Sequence, residues 1–264
     1  MLGIKRADFK VCLPPTPPPA FVPTLPVTPT ELAIALVLAT IGSTIQGAVG
    51  FGLAVVSAPV LMLINPVFVP GPLLLAAMML TILIAHRERS SVAYDEVAIG
   101  TVGRVFGMIP AAYALSAVDQ RIYSLLFAVL ILLGVLLSVS GWHLRPTPRA
   151  LLAASALSGF MGTISSVGGP ALALVYQNEK GPHIRATMST IFTVGTVISL
   201  SGLWWIDKFG ERELIVGLLL APAVIIGFLV SGYAKGHVDG KWTRLAILLV
   251  SALSAVVIIA KVLS

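Results

Sequence analysis

Apolar runs long enough to cross a bilayer recur through this chain from residue 31 to residue 263, each closed by a short polar or charged gap. Few folds are open to such a chain. No water satisfies the backbone inside hydrocarbon, so a spanning run must be a helix or belong to a closed barrel. Barrel strands would alternate over about ten residues, and these runs do not alternate. Composition agrees: 11% of the residues are charged and mean hydropathy is +1.00, whereas a soluble domain carries roughly 25% charged residues. The chain reads as an all-α polytopic membrane protein, with the lipid bilayer as its first partner.

The runs cover 31–64, 69–86, 97–117, 120–141, 148–177, 184–206, 213–235 and 242–263. A single crossing takes about 20 residues. The first and fifth are too long for one. As a single helix, 31–64 would reach roughly 50 Å at about 1.5 Å per residue, against a hydrocarbon core of about 30 Å. Each long run must tilt strongly, or break and partly double back.

The two long runs open two similar halves. "AVG" at 48–50 recurs as "SVG" at 166–168, "AVDQRIYSL" at 117–125 as "HVDGKWTRL" at 237–245, and a Pro follows each long run at Pro66 and Pro182. The expected organisation is a Pro-rich disordered tail at 1–29, a first transmembrane repeat at 30–142 and a second at 148–264. Each repeat holds about four transmembrane segments, the first broken or re-entrant. Duplicated halves are typical of secondary transporters.

Net charge is +6, but Lys and Arg sit in loops, where they set membrane topology; no nucleic-acid partner is implied. With eight single crossings the positive-inside rule favours a cytoplasmic N-terminus. The first half obeys the rule and the second violates it, and complete doubling back of 148–177 would repair the second. Cys12 is the single cysteine and can form no intramolecular disulfide. The tail's prolines favour an extended spacer.

Glycine and proline mark where the long runs should break: "GAVGFG" at 47–52 and "SSVGGP" at 165–170. A half-helix restarting after each break would aim free N–H groups and a partial positive charge at the membrane centre. Two such N-termini facing each other make an anion site. The candidate binding residues are Gln46, Gly47, Gly50, Phe51, Gly52, Thr163, Ser165, Ser166, Gly168 and Gly169. The competing reading has these small residues only packing helices together. That reading suits Gly103 and Gly107, four apart in the third run.

The charge pattern also points to an anion. All 11 acidic residues lie in the tail, in loops or at segment ends, leaving no carboxylate at mid-membrane depth for a cation. Arg104 is the one ionisable residue inside a run, and an intramembrane Arg is a functional candidate. It could equally snorkel, or pair with Asp95 or Glu96. His86, His143, His183 and His237 sit near segment ends, and Arg185 could guard an entrance or serve topology.

Enzyme signatures are missing: there is no HExxH, no paired intramembrane Asp, and no His near Ser165 or Ser166 in sequence to act as a base. No metal-ligand spacing and no cofactor motif occurs. The expectation is a transporter rather than an enzyme or a structural subunit.

The over-long Gly-rich openings of the two halves, above all "GFMGTISSVGGPALAL" (159–174) followed by "RATMSTIF" (185–192), resemble the TauE/SafE-type sulfite and organosulfonate exporters across residues 31–263. The sequence departs from that pattern at Gly50-Phe51-Gly52 and Gly168-Gly169-Pro170, where members often carry three consecutive glycines. The resemblance implies a permease of the prokaryotic cytoplasmic membrane that moves sulfite, an organosulfonate or a related small anion, driven by the membrane potential or the proton gradient. With the two similar halves, the expectation is a secondary transporter working by alternating access between them. A permease for another small organic anion is the alternative, and a membrane-embedded enzyme a distant third.

Overall fold

The computed structural model describes residues 26–140, 145, 147–176, 181–234 and 241–263. The tail up to residue 25 with Cys12, together with His143 and His237, lies outside them. The described residues form helices and no strand. The helices are α1 (Pro29–Val49), α2 (Leu53–Ile64), α3 (Gly71–Arg87), α4 (Tyr94–Ala117), α5 (Gln120–Val139), α6 (Pro148–Ser165), α7 (Gly169–Tyr176), α8 (Pro182–Trp205), α9 (Glu211–Leu219), α10 (Ala221–Ala234) and α11 (Lys241–Leu263). Among the described residues six helical stretches are long and apolar enough to cross a membrane, with α9 and α10 taken as one; α2 and α3 are apolar but shorter.

Local chemistry sets the helix ends. Thr28 and Glu31 form a reciprocal capping box at the start of α1, with Pro29 in the first turn, where its missing N–H costs nothing. The Asp119 carboxylate accepts from the Ile122 N–H at 2.8 Å to start α5, and the Thr147 hydroxyl oxygen accepts from the Ala150 N–H at 3.2 Å to start α6. The run 213–235 is interrupted at Leu220, just before Pro222, whose ring and missing N–H resist an unbroken helix.

The run 31–64 holds α1 and α2, which lie side by side and antiparallel. The Ser57 hydroxyl donates to the Leu38 carbonyl at 3.1 Å, and the Asn65 amide donates to the Pro26 carbonyl and the Glu31 carboxylate at 3.3 Å. The end of α2 thus returns to the start of α1. The run 148–177 holds α6 and the short α7 on either side of Ser166–Gly168. Here α7 folds back over α6, with Gly168 against the Ser158 carbonyl.

Two ends of the molecule follow from these contacts. At one, the Arg87 end, α3 finishes, α4 and α8 begin and α10 finishes, tied by bonds from Arg87 to Ser231 and from Arg185 to Glu88. At the other, the Asn65 end, α3 begins beside Phe209, close to the start of α9. Four helix pairs carry the packing: α1 on α10, α6 on α4, α3 on α8 and α5 on α11. Glycine makes two of these contacts possible. A methyl at Gly107 would stand 1.9 Å from the Ala156 carbonyl oxygen, and one at Gly227 would stand 2.6 Å from that of Thr40. In α4 and α6 the residues rise together, Gly103 beside Leu152 and Ser155 and Gly107 beside Ala156 and Phe160, so the two helices are parallel.

The outer faces are apolar. Phe106, Ile109, Leu229, Leu253 and Val256 are all exposed, as lipid-facing side chains would be. Trp204, Trp205 and Tyr233 lie exposed near helix ends, the depth where amphipathic rings meet headgroups.

Candidate functional site

A cleft with about 430 Å³ of empty volume lies where the α1–α2 link, α3, α4, the α6–α7 link and α8 converge. Of the residues singled out in sequence, Gln46, Phe51, Gly52, Arg104, Ser166, Gly168 and Gly169 line it.

The α1–α2 link turns on glycine. Gly50 caps α1 in the left-handed region (φ 107°) and Gly52 precedes α2 at φ 149°, both favoured by the lack of a Cβ. Gln46 acts as a cap across the link: its side-chain oxygen accepts from the Leu53 N–H at 2.9 Å, leaving its NH2 group as the donor. The first intrahelical bond of α2 runs from the Val56 N–H to the Gly52 carbonyl. The N–H groups of Ala54 and Val55, residues that line the cleft, therefore have no acceptor within their helix. At the α6–α7 link Ser166 takes the left-handed conformation (φ 65°) and its hydroxyl donates to the Pro70 carbonyl at 3.0 Å. The Ser165 hydroxyl accepts from the Val167 N–H at 3.3 Å. The two links meet: a methyl at Gly169 would stand 2.9 Å from Phe51 Cβ. The first turns of α2 and α7 thus border one cleft.

Arg104 supplies the only charged side chain among the described residues lining it. It is 2% exposed. Nη1 donates to the Ser158 hydroxyl at 3.0 Å, the guanidinium carbon lies 5.5 Å from the Phe192 ring centre, and Nε has no hydrogen-bond partner. The guanidinium runs through a slot floored by glycine, since a methyl at Gly195 would stand 1.7 Å from Nε and one at Gly162 would stand 3.3 Å from Nη2. Arg104 neither snorkels nor pairs with an acid. Glu96 accepts from the Tyr176 hydroxyl and stands 3.8 Å from His183. Glu88 takes Arg185 at 3.0 Å and lies 3.6 Å from Arg87. Arg185 is therefore ion-paired, with its stem against Gly50.

Four sequence candidates lie off the cleft lining. Gly47 is packed under Ser231 and its carbonyl accepts from Arg87 at 2.7 Å, a cation at a helix C-terminus. Gly50 faces Arg185. The Thr163 hydroxyl donates to the Gly159 carbonyl and meets Ser199, both at 2.8 Å, and Ser165 donates to the Met161 carbonyl at 2.7 Å. These hydroxyls serve the helices that carry them, because a buried donor takes the nearest acceptor, the carbonyl one turn back.

Sequence reading passed over Thr81, Phe192 and Thr196, which line the cleft, and Ser158 and Gly195, which hold Arg104. Thr81, linked to Thr193 at 2.9 Å, is a hydroxyl in an apolar helix, and that was the available signal. Nothing in the pattern around Ser158 or Gly195 points to a residue in another run.

A family model, Sulfite exporter TauE/SafE, matches residues 34–258 of the chain. No curated protein and no solved structure matches.

Proposed function

The chain belongs to the sulfite exporter TauE/SafE family, and on that premise we propose that this multi-pass membrane protein is a secondary transporter whose cleft binds a small anion, sulfite or an organosulfonate. One observation carries the reading: Arg104, buried and without an acidic partner, borders the same cleft as the first turns of α2 and α7. A buried cation without a counter-ion is expensive. A site that also presents free N–H groups and helix N-termini is matched to an anion that completes it. Gln46, Thr81, Ser166 and Thr196 add polar groups to the lining.

The packing supports two halves of inverted topology. One comprises the α1–α2 hairpin with α3, α4 and α5; the other comprises α6–α7 with α8, α9–α10 and α11. Pairing α1 with α6, α3 with α8, α4 with α9–α10 and α5 with α11 maps the α1–α10 contact onto the α6–α4 contact. The other two main pairs map onto themselves. Each half contributes a re-entrant hairpin and three crossings, the two hairpins entering from opposite faces. Rocking of one half against the other around the fixed cleft would give alternating access.

This arrangement redistributes charge. Among the described residues, Arg87, Arg89, Arg145, Arg149, Arg185, Lys241 and Arg244 fall at the Arg87 end, against Arg121, Lys208, Arg212 and Lys261 at the other. By the positive-inside rule the Arg87 end is cytoplasmic. Pro29 then starts on the outer face, the reverse of what eight single crossings give.

Purified protein in liposomes tests the transport reading. Sulfite and methanesulfonate should exchange across the bilayer and raise the unfolding temperature, since a ligand of the folded state stabilises it; choline should do neither. Equal stabilisation by choline, or no flux of either anion, refutes it.

A further inference from the structure

The cleft holds one positive charge in apolar surroundings. Among the described residues its lining carries Arg104 and no Asp, Glu, Lys or His, and its walls include Phe51, Val55, Leu74, Val167 and Phe192. The helices packed around Arg104 add no charge: α6 meets it with Ser158, Gly159 and Gly162, and α8 with Phe192 and Gly195. Among the described residues, Arg87, Glu88 and Arg185 form a closed cluster beside Gly47 and Gly50, and Glu96 is engaged by Tyr176 and His183.

Resting on the anion-site reading, we infer that the cleft takes a singly charged oxyanion and rejects a doubly charged one. Removing an ion from water scales with the square of its charge, so a dianion loses about four times the hydration of a monoanion of the same size. One guanidinium can neutralise only half of that charge. Backbone N–H groups and hydroxyls add partial charges, enough to complete the coordination of a monoanion but not to replace a missing cation.

The consequence concerns the proton. Sulfite exchanges between a dianion and its protonated monoanion close to neutral pH, whereas a sulfonate is a monoanion throughout and sulfate a dianion. If only the protonated form of sulfite enters, the proton crosses on the substrate, one proton and one net negative charge together. No protein carboxylate is needed to relay it, and none among the described residues lines the cleft.

The experiment compares sulfite, methanesulfonate and sulfate binding to the purified full chain, by thermal shift and by competition, at several pH values across neutrality. Above the titration midpoint of sulfite its apparent affinity should fall about tenfold per pH unit. Methanesulfonate should stay flat over the same range and sulfate should not compete. Methanesulfonate also serves as the control for any effect of pH on the protein itself, including on the Glu96–His183 pair. If both anions weaken together with pH, a protein group sets the profile and the inference fails. It also fails if sulfite binding is flat or strengthens with pH, or if sulfate competes as well as methanesulfonate, results that leave the anion site itself intact. Binding of none of the three at any pH overturns the anion site and this inference with it.

Discussion

Replacing Gly195 by Ala should weaken anion binding although Gly195 itself does not line the cleft. A Cβ at this position would stand 1.7 Å from Arg104 Nε and 2.1 Å from Cδ, where ordinary contact begins at 3.4 Å. The guanidinium must move by about 1.7 Å to clear the methyl, too far to keep its 3.0 Å bond to Ser158. Overpacking of this kind costs about 1–3 kcal/mol of stability. Losing one correctly placed charged hydrogen bond to the anion weakens binding by about 1.5–3 kcal/mol, which is about 10–150-fold in Kd. Two comparisons separate misplacement of Arg104 from general damage. Gly202→Ala, two turns further along α8, meets only the flexible Met108 side chain at 2.5 Å, and should lower stability slightly while binding normally. In the double variant Gly195→Ala with Arg104→Ala, the methyl has no guanidinium to displace, so binding should be no weaker than in Arg104→Ala alone. The assay is methanesulfonate binding and flux at matched membrane abundance. Wild-type binding by Gly195→Ala, or losses that simply add in the double variant, would refute the reasoning.

Three further outcomes are expected. Arg104→Lys keeps the charge but loses the planar fork, so flux should fall, and Arg104→Ala should weaken anion binding by about 1.5–3 kcal/mol; normal flux in both removes Arg104 from the site. Gly107→Ala puts a methyl 1.9 Å from a backbone carbonyl oxygen that cannot rotate away, so α4 and α6 must separate, and detergent unfolding should show a loss of about 3 kcal/mol or more, at the upper end of overpacking. Gln46→Leu leaves the Leu53 N–H without its acceptor, a lost cap of about 1 kcal/mol, and removes an amide from the cleft. It should therefore lower stability and affinity together, whereas an unchanged unfolding temperature would show that the cap contributes nothing.

Sequence alone determined the class of fold and the family, because both are written locally. A run of apolar residues is a run whatever surrounds it, and the lengths of 31–64 and 148–177 already forbid one straight crossing apiece. Glycine and proline at 47–52 and 165–170 announce where a helix is weak, and α1 and α6 end within those stretches. The buried charge was equally plain, since Arg104 stands alone in an apolar run.

Tertiary structure decided what those local signals are used for. Gly47, Gly50, Thr163 and Ser165 carry the same residue chemistry as Gly52, Gly168 and Ser166, yet only the latter three border the cleft. Which side of a helix faces the cleft depends on its neighbours, here Ser231 over Gly47 and Arg185 over Gly50. The fate of Arg104 also depends on distant residues. Glu96 lies two turns earlier in α4 and could have paired with it, but Tyr176 of α7 and His183 of α8 engage that carboxylate instead. The guanidinium is left to Ser158, Phe192 and the glycine slot. Such pairings join positions up to 184 residues apart, as Ser231 over Gly47, and no periodicity or propensity encodes them. They exist only once the helices have packed.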